Sequence, residues 1–383
     1  MLSSIIGGCV LSAVIAVILT PRVAAWARRG GMVDVPDAPH PPTPPLPEGR
    51  GETKKKNFST FRWEGEWEGV GRKQHVRSTP LLGGIAIYLA FTISLGLVAW
   101  WTRAPFEGRI SPMELGAVFL GGLILVIGGS LDDRYRLRPV RQFLFPLVAV
   151  SVVAAAGIGI SRVTNPLGGT VHLAPWVTVA FTVLWLLGTT YTTKLLDGLD
   201  GLVSGITAIG ATMIAALSLT ERYWQPDVAV IAFALAGACL GFLVFNFQPA
   251  RIFLGEGGST LCGFLLGILA IISGGKIATA LLVMGIPAVD VALVIVQRVF
   301  RRGGVTRGDR SHLHFRLLDL GFSHRGAVLF LYALAAGFGM TTLFLQAQQK
   351  LVALLVLVVI AISLSVVAAT RKRETTAPGS GGQ

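Results

Sequence analysis

Eleven apolar runs, most of them long enough to cross a lipid bilayer, follow one another along the chain. A helix needs about 20 residues to cross about 30 Å of hydrocarbon, and helices and closed barrels alone leave no backbone amide unpaired there. Hydropathy, broken at turns and charges, predicts helices near 4–21, 81–101, 114–131, 142–160, 175–191, 202–220, 227–246, 259–274, 277–298, 326–346 and 350–369. Only 14% of the 383 residues are charged, 52% are hydrophobic and the mean hydropathy is +0.67, which excludes an ordinary soluble domain. The expected fold is all-α: one polytopic integral membrane domain over residues 1–383, with about eleven transmembrane helices.

Charge placement predicts the orientation. The first apolar run has no basic residue before it, and Arg22, Arg28 and Arg29 follow it, which predicts a retained helix with its N-terminus outside rather than a cleaved leader. The connections after the odd-numbered runs, together with the tail, then carry about 27 of the 33 Lys and Arg. Those segments are expected to be cytoplasmic, and the net charge of +13 follows from topology rather than from binding nucleic acid. Cys9, Cys239 and Cys262 lie in separate apolar runs without CxxC spacing, so neither a disulfide framework nor a zinc site is indicated.

Two segments break the pattern. Residues 39–74 are rich in Pro, Gly and charge without any period, and read as a low-complexity, disordered cytoplasmic insertion. Its basic run Lys54–Lys56 reads as solvated, with an anionic lipid surface as the alternative. Residues 371–383, "RKRETTAPGSGGQ", read as a disordered tail.

The unusual polar residues gather in the connections assigned to one face. "LDDRYRLRPVR" holds Asp132 and Asp133; "KLLDGLDGLVSG" holds Lys194, Asp197 and Asp200; "FNFQPARIFLGEGGS" holds Asn246, Phe253 and Glu256; "GDRSHLHFR" holds Arg310, His312 and His314. Carboxylates, imidazoles and arginines meeting at one surface are the parts that hold a divalent cation and phosphates. Asp132 and Asp133 cannot both face one way on a regular helix, so one suits substrate and the other metal or orientation; a polar helix end balanced by Arg134, Arg136 and Arg138 is the plainer alternative. Asp197 and Asp200 share a face if helical, although Asp200 also suits a helix start. "LGEGGS" offers helix-terminal amides to an anion or is an ordinary turn, and it lacks the P-loop pattern. His312 and His314, two apart, suit an irregular loop, where with Arg307, Arg310 and Arg316 they bind phosphates or are simply surface groups. His40, His172 and His324 read as solvated.

Together these loops resemble the polyprenyl-phosphate N-acetylhexosamine-1-phosphate transferase family, whose superfamily includes the phospho-N-acetylmuramoyl-pentapeptide transferases. "VDVP" followed by "RKQHVRSTPLLGG" resembles its first loop and "LDDR" its aspartate pair. "LLDGLDGLVSG" resembles "NLxDGLDGLAxG", "FNFQPARIFLGEGGS" resembles "NxxPAxxFMGDxGS", and "DRSHLHFRLLDLGFS" resembles the "HxHH" loop. The resemblance implies transfer of a sugar 1-phosphate from a UDP-sugar to a membrane polyprenyl phosphate with release of UMP, using Mg²⁺ or Mn²⁺. Asp132 or Asp133 would handle the lipid phosphate, and His312 and His314 the phosphates or sugar. Glu256, with Asp133 and Asp197, would hold metal. Lys194, Asp197, Asp200, Asn246, Phe253 and Arg310 would line the nucleotide site, approached by His75 and Arg77 from the first loop. The chain departs from the pattern at Glu256 (Asp in the family), at Tyr191 and Lys194 (both Asn) and at Phe315 (the third His).

The first loop and "HLHF" favour UDP-N-acetylglucosamine as donor over the muramoyl-pentapeptide. The expectation is a bacterial inner-membrane enzyme with its site on the cytoplasmic face, initiating a lipid-linked glycan such as lipopolysaccharide or teichoic acid. The sequence leaves a homodimer open. A transporter would place its polar groups near mid-span, and a catalytically dead scaffold would release no UMP.

Overall fold

The computed structural model describes residues 2–35, 78–102, 110–164, 169–274, 277–300 and 312–376. In order, the elements are α1 (Leu2–Arg29), β1 (Val33–Asp34), β2 (Thr79–Pro80), α2 (Gly83–Thr102), α3 (Pro112–Tyr135), α4 (Pro139–Ala155), β3 (Arg162–Thr164) and β4 (Thr170–His172). They continue with α5 (Pro175–Leu196), α6 (Leu202–Ser218), α7 (Pro226–Asn246), α8 (Gly255–Ile272), α9 (Ile277–Phe300), α10 (Leu313–Asp319), α11 (His324–Phe344) and α12 (Ala347–Thr376). The chain is an all-α membrane protein, with only two short antiparallel ribbons, β1–β2 and β3–β4, among the described residues.

All eleven expected helices are present, and two of them are shorter than the rest. Nine are long and apolar enough to cross a bilayer, while α4 and α6, at 17 residues each, rise only about 26 Å. Two further differences concern segments read as irregular. The His312–His314 segment enters a two-turn helix, α10, and α12 runs on to Thr376, six residues into the expected tail. The insertion at 39–74, with its Lys54–Lys56 run, and residues 377–383 lie outside the described residues.

Local sequence sets the helix starts. Ser111 and Glu114 form a reciprocal capping box on α3, with Ser111 N donating to Glu114 at 2.7 Å, and Pro112 takes the first turn, where its missing N–H costs nothing. Prolines open α4, α5 and α7 in the same way.

Packing is organised around α8, of whose apolar window 89% is buried, against 22% for α12 at the periphery. In lipid, helices gain little from apolar contact alone, so close backbone approach through small residues carries association. A methyl on Gly129 of α3 would fall 2.0 Å from the amide nitrogen of Gly257, and one on Gly84 of α2 would fall 2.4 Å from that of Gly258. Further along α8, Gly263 and Gly267 meet Thr189 and Thr193 of α5, and Trp185 donates to the Gly267 carbonyl at 3.0 Å. Gly257 and Gly258 of "GEGGS" are thus taken up by helix crossings, which seat the α8 N-terminus between α2 and α3.

The β1–β2 ribbon ties the start of the chain to the same end. Val33 pairs with Pro80 and Asp34 with Thr79, while Phe253 N donates to Pro80 O at 2.9 Å and Gly83 N to Phe253 O at 3.0 Å.

Candidate active site

At this end of the bundle α3, α5 and α8 finish or begin together. Gly255 takes a positive φ of 71°, and its bare α-carbon gives room to the Asp133 carboxylate: a methyl there would sit 2.4 Å from Oδ2. Both Asp133 oxygens accept from Glu256 N, at 3.2 and 3.3 Å. A carboxylate at a helix N-terminus is favoured by the unpaired amides and the dipole, so the anion received by the α8 terminus is the protein's own Asp133.

Its neighbour Asp132 faces the opposite way. Oδ1 accepts from Leu137 N at 2.7 Å and from Gln142 Nε2 at 3.1 Å, closing the α3–α4 corner beside Arg136 in the left-handed region. Asp132 is 7% exposed with its Oδ1 engaged in holding the corner, whereas Asp133 stands at the α8 N-terminus. From α5, Lys194 reaches Glu256 Oε2 at 2.8 Å and Gln142 Oε1 at 3.4 Å. A half-polar pocket runs between them, lined by Asp132, Gln142, Lys194, Glu256 and Thr260 and walled by Phe145 and Pro146.

The "DGLDG" turn follows Lys194 at the same end of the bundle. Asp197 ends α5, and Gly201, with φ of 83°, begins α6. Asp197 is exposed, and its carboxylate accepts no hydrogen bond among the described residues. Crowding by protein, then the carboxylates of Glu256, Asp133 and Asp200, raise its pKa, a pull that water at the open side screens. Asp200 turns inward: Oδ2 accepts from Ala250 N at 3.0 Å, and its own N–H donates to His324 Nε2 at 2.9 Å. His324, read from sequence as solvated, therefore supports the turn. Tyr332 donates to the Gly201 carbonyl. Both ends of the Asn246 amide are used, Oδ1 accepting from Ser204 at 2.9 Å and Nδ2 donating to the Ile252 carbonyl at 3.0 Å. Asn246 braces the loop before α8, and Phe253 lies in that loop, half-buried.

His312 precedes α10 and pairs through Nδ1 with Asp290 of α9 at 3.0 Å, while Leu313 N donates to the other oxygen of the same carboxylate at 2.9 Å. His314 stacks parallel to His312, with centroids 5.6 Å apart, and its Nε2 lies where a methyl on Gly198 would be. Burial, reinforced by His312 and His324, lowers its pKa to about 3. Arg316 is turned away, donating to the Ser365 carbonyl at 2.7 Å. His75, Arg77, Arg307 and Arg310 lie outside the described residues.

The structure thus brings together Asp133, Lys194, Asp197 and Glu256, and sets Asp132, Asn246 and Asp200 to brace backbone. Three contributors were missed in the sequence: Asp290, Gln142 and His324. Asp290 had a usable signal, since a carboxylate within an apolar helix is rare and needs a partner. Gln142 had the weaker one of being amphiphilic at a helix start.

Among the described residues no three His, Cys, Asp or Glu side chains converge at metal-ligand spacing. The donor set still suits a hard cation. Asp197 offers an uncommitted carboxylate, close enough to those of Asp133 and Glu256 for them to raise its proton affinity, and such oxygens are the usual ligands of Mg²⁺.

The chain is similar to known proteins over most of its length. Residues 115–274, from α3 to just past α8, match Glycosyl transferase family 4. The chain is 29% identical to a probable undecaprenyl-phosphate N-acetylglucosaminyl 1-phosphate transferase of Bacillus subtilis, over 78% of this chain and 82% of that protein. It is 36% identical to a decaprenyl-phosphate N-acetylglucosaminephosphotransferase of Mycolicibacterium smegmatis, over 68% and 70% of the two chains. A phospho-N-acetylmuramoyl-pentapeptide-transferase of Moorella thermoacetica is 33% identical over 72% and 87%. With the aspartate pair, the "DGLDG" turn and the α8 N-terminus all inside the matched region, the chain belongs to glycosyl transferase family 4.

Proposed function

We propose that this protein transfers N-acetylglucosamine 1-phosphate from UDP-N-acetylglucosamine to a polyprenyl phosphate, releasing UMP and starting a lipid-linked glycan of the bacterial envelope. The observation that carries the reading is the meeting of Asp133, Lys194, Asp197 and Glu256 at helix ends on one side of the bundle, in a chain similar to relatives named for this transfer. A phosphate oxygen of the acceptor attacks the β-phosphorus of the donor, the bond to the bridging oxygen breaks, and UMP departs with that oxygen.

In this reading Asp133 takes or holds the acceptor's proton, and Lys194 contacts phosphate. His312, its Nδ1 engaged by Asp290, presents Nε2 to phosphate or sugar. His75, Arg77 and Arg310 join the nucleotide and lipid phosphate from outside the described residues, and Phe253 contributes an aromatic face to the base. Asp197, Glu256 and Asp133 would hold Mg²⁺ or Mn²⁺, which would supply positive charge against the donor's diphosphate. The basic residues support a site on the cytoplasmic face of the inner membrane: Arg28, Arg29, Arg134, Arg138, Arg251 and Arg325 lie at the site's end, against Arg162, Arg222 and Lys350 at the other.

Purified protein given undecaprenyl phosphate, Mg²⁺ and a panel of UDP-sugars tests this directly. UMP release with UDP-N-acetylglucosamine is expected. Release with UDP-N-acetylmuramoyl-pentapeptide alone would move the chain to the peptidoglycan reaction, and release with none would refute the transferase reading.

A further inference from the structure

Two of the positions at which this chain departs from the resembled pattern, Lys194 and Glu256, touch each other. They come from helices far apart in sequence, α5 and α8, yet form an ion pair of 2.8 Å with side chains 19% and 36% exposed. A neutral asparagine with a shorter aspartate would place no cation here. The ammonium stands above the Tyr191 ring, itself a departure, at 5.9 Å, and is held from the other side by Gln142. It lines the pocket shared with Glu256, whose backbone N–H is held by the Asp133 carboxylate. The protein has thus built a fixed positive charge beside two of the three carboxylates that would receive a divalent cation.

A carboxylate already neutralised by an ammonium is a poorer ligand, because an incoming cation gives up part of the carboxylate's attraction and meets the ammonium's repulsion. A phosphate-bearing nucleotide reverses the balance: its charge welcomes the metal and gives the lysine a second partner. We propose that Lys194 is a built-in counter-cation, which holds Glu256 while the site is empty, weakens divalent-metal binding there, and passes to the donor's diphosphate when nucleotide and metal enter together. This deepens the proposed transferase reading and rests on it for the identity of the nucleotide.

Mn²⁺ binding to the full-length protein in detergent, followed by electron paramagnetic resonance with and without UDP, tests the idea without turnover. For the wild type, affinity is expected to be weak alone and to rise with UDP. Lys194→Asn should tighten Mn²⁺ binding without UDP by about tenfold, the size expected on removing a like charge a few ångströms away from a half-solvated site. The same variant should bind UDP less tightly and raise the donor KM, while Lys194→Arg keeps wild-type behaviour on all three measures. Thermal unfolding of each variant identifies a misfolded one, in which case Lys194→Gln replaces it. Unchanged Mn²⁺ and UDP affinities in a folded neutral variant would overturn the proposal and leave Lys194 a packing group. Absence of UMP release from every donor, with the Mn²⁺ shift intact, would instead count against the transferase reading alone.

Discussion

At the residue scale, Asp132 and Asp133 show how adjacent identical side chains acquire different tasks. Asp132 satisfies the backbone of a corner, while Asp133 caps α8 from across the bundle and remains part-exposed at the site. Asp133→Asn keeps the shape and removes the charge, so turnover should fall about 100-fold or more, the range lost with a general base, while the protein stays folded and inserted. Steady-state UMP release and gel filtration check both halves. Asp290→Asn removes the carboxylate that fixes His312; kcat should fall about 10- to 100-fold, as for other groups that orient a histidine, with little change in donor KM. His314 makes a pH prediction. Its folded pKa of about 3 lies below an unfolded value near 6.5, so above pH 6.5 it contributes no pH dependence, and as pH falls from 6.5 towards 3 the unfolded chain takes up the proton first and stability is lost. Thermal unfolding between pH 7.5 and 5 should show that decline, and His314→Asn should flatten it. The sequence made the acidic residues visible but not this division of labour, because side-chain direction at the end of α3 depends on where α4 and α8 sit.

At the scale of the element, hydropathy located eleven helices because a bilayer leaves the backbone few alternatives. It misplaced the character of two segments. The glycine run that opens α8 carries the signature of an anion loop, yet Gly257 and Gly258 are packed against Gly129 and Gly84, residues 128 and 174 positions away. The short α10 escaped because two turns with mixed polarity give no period, and its order comes from Asp290 capping its first amide. The α3–α8 crossing makes a sharp prediction. Gly129→Ala sets a methyl against backbone and should lower the midpoint of thermal unfolding, since overpacking of this kind costs about 1–3 kcal/mol. Gly116→Ala on the same helix meets nothing within 4 Å and should be neutral or slightly stabilising.

At the scale of the whole molecule, α8 serves as both the buried mast of the bundle and the floor of the site. The position of the candidate site is therefore tied to core packing rather than to loops alone. The β1–β2 ribbon holds the two ends of residues 35–78 side by side. Deleting residues 39–71 should leave the helices in register and turnover within about twofold of the wild type, because loop length affects stability only logarithmically. UMP release from the shortened protein decides this, and loss of activity would assign the insertion a working part.

The same ribbon has a practical corollary. Since Val33 and Pro80 are paired side by side, whatever polypeptide is strung between them departs from and returns to a single doorway at the rim of the reaction chamber. A fluorescent passenger or a docking peptide spliced in place of residues 39–71 would travel with the transferase as a tethered appendage, with His75, Arg77 and the transmembrane frame left as they are.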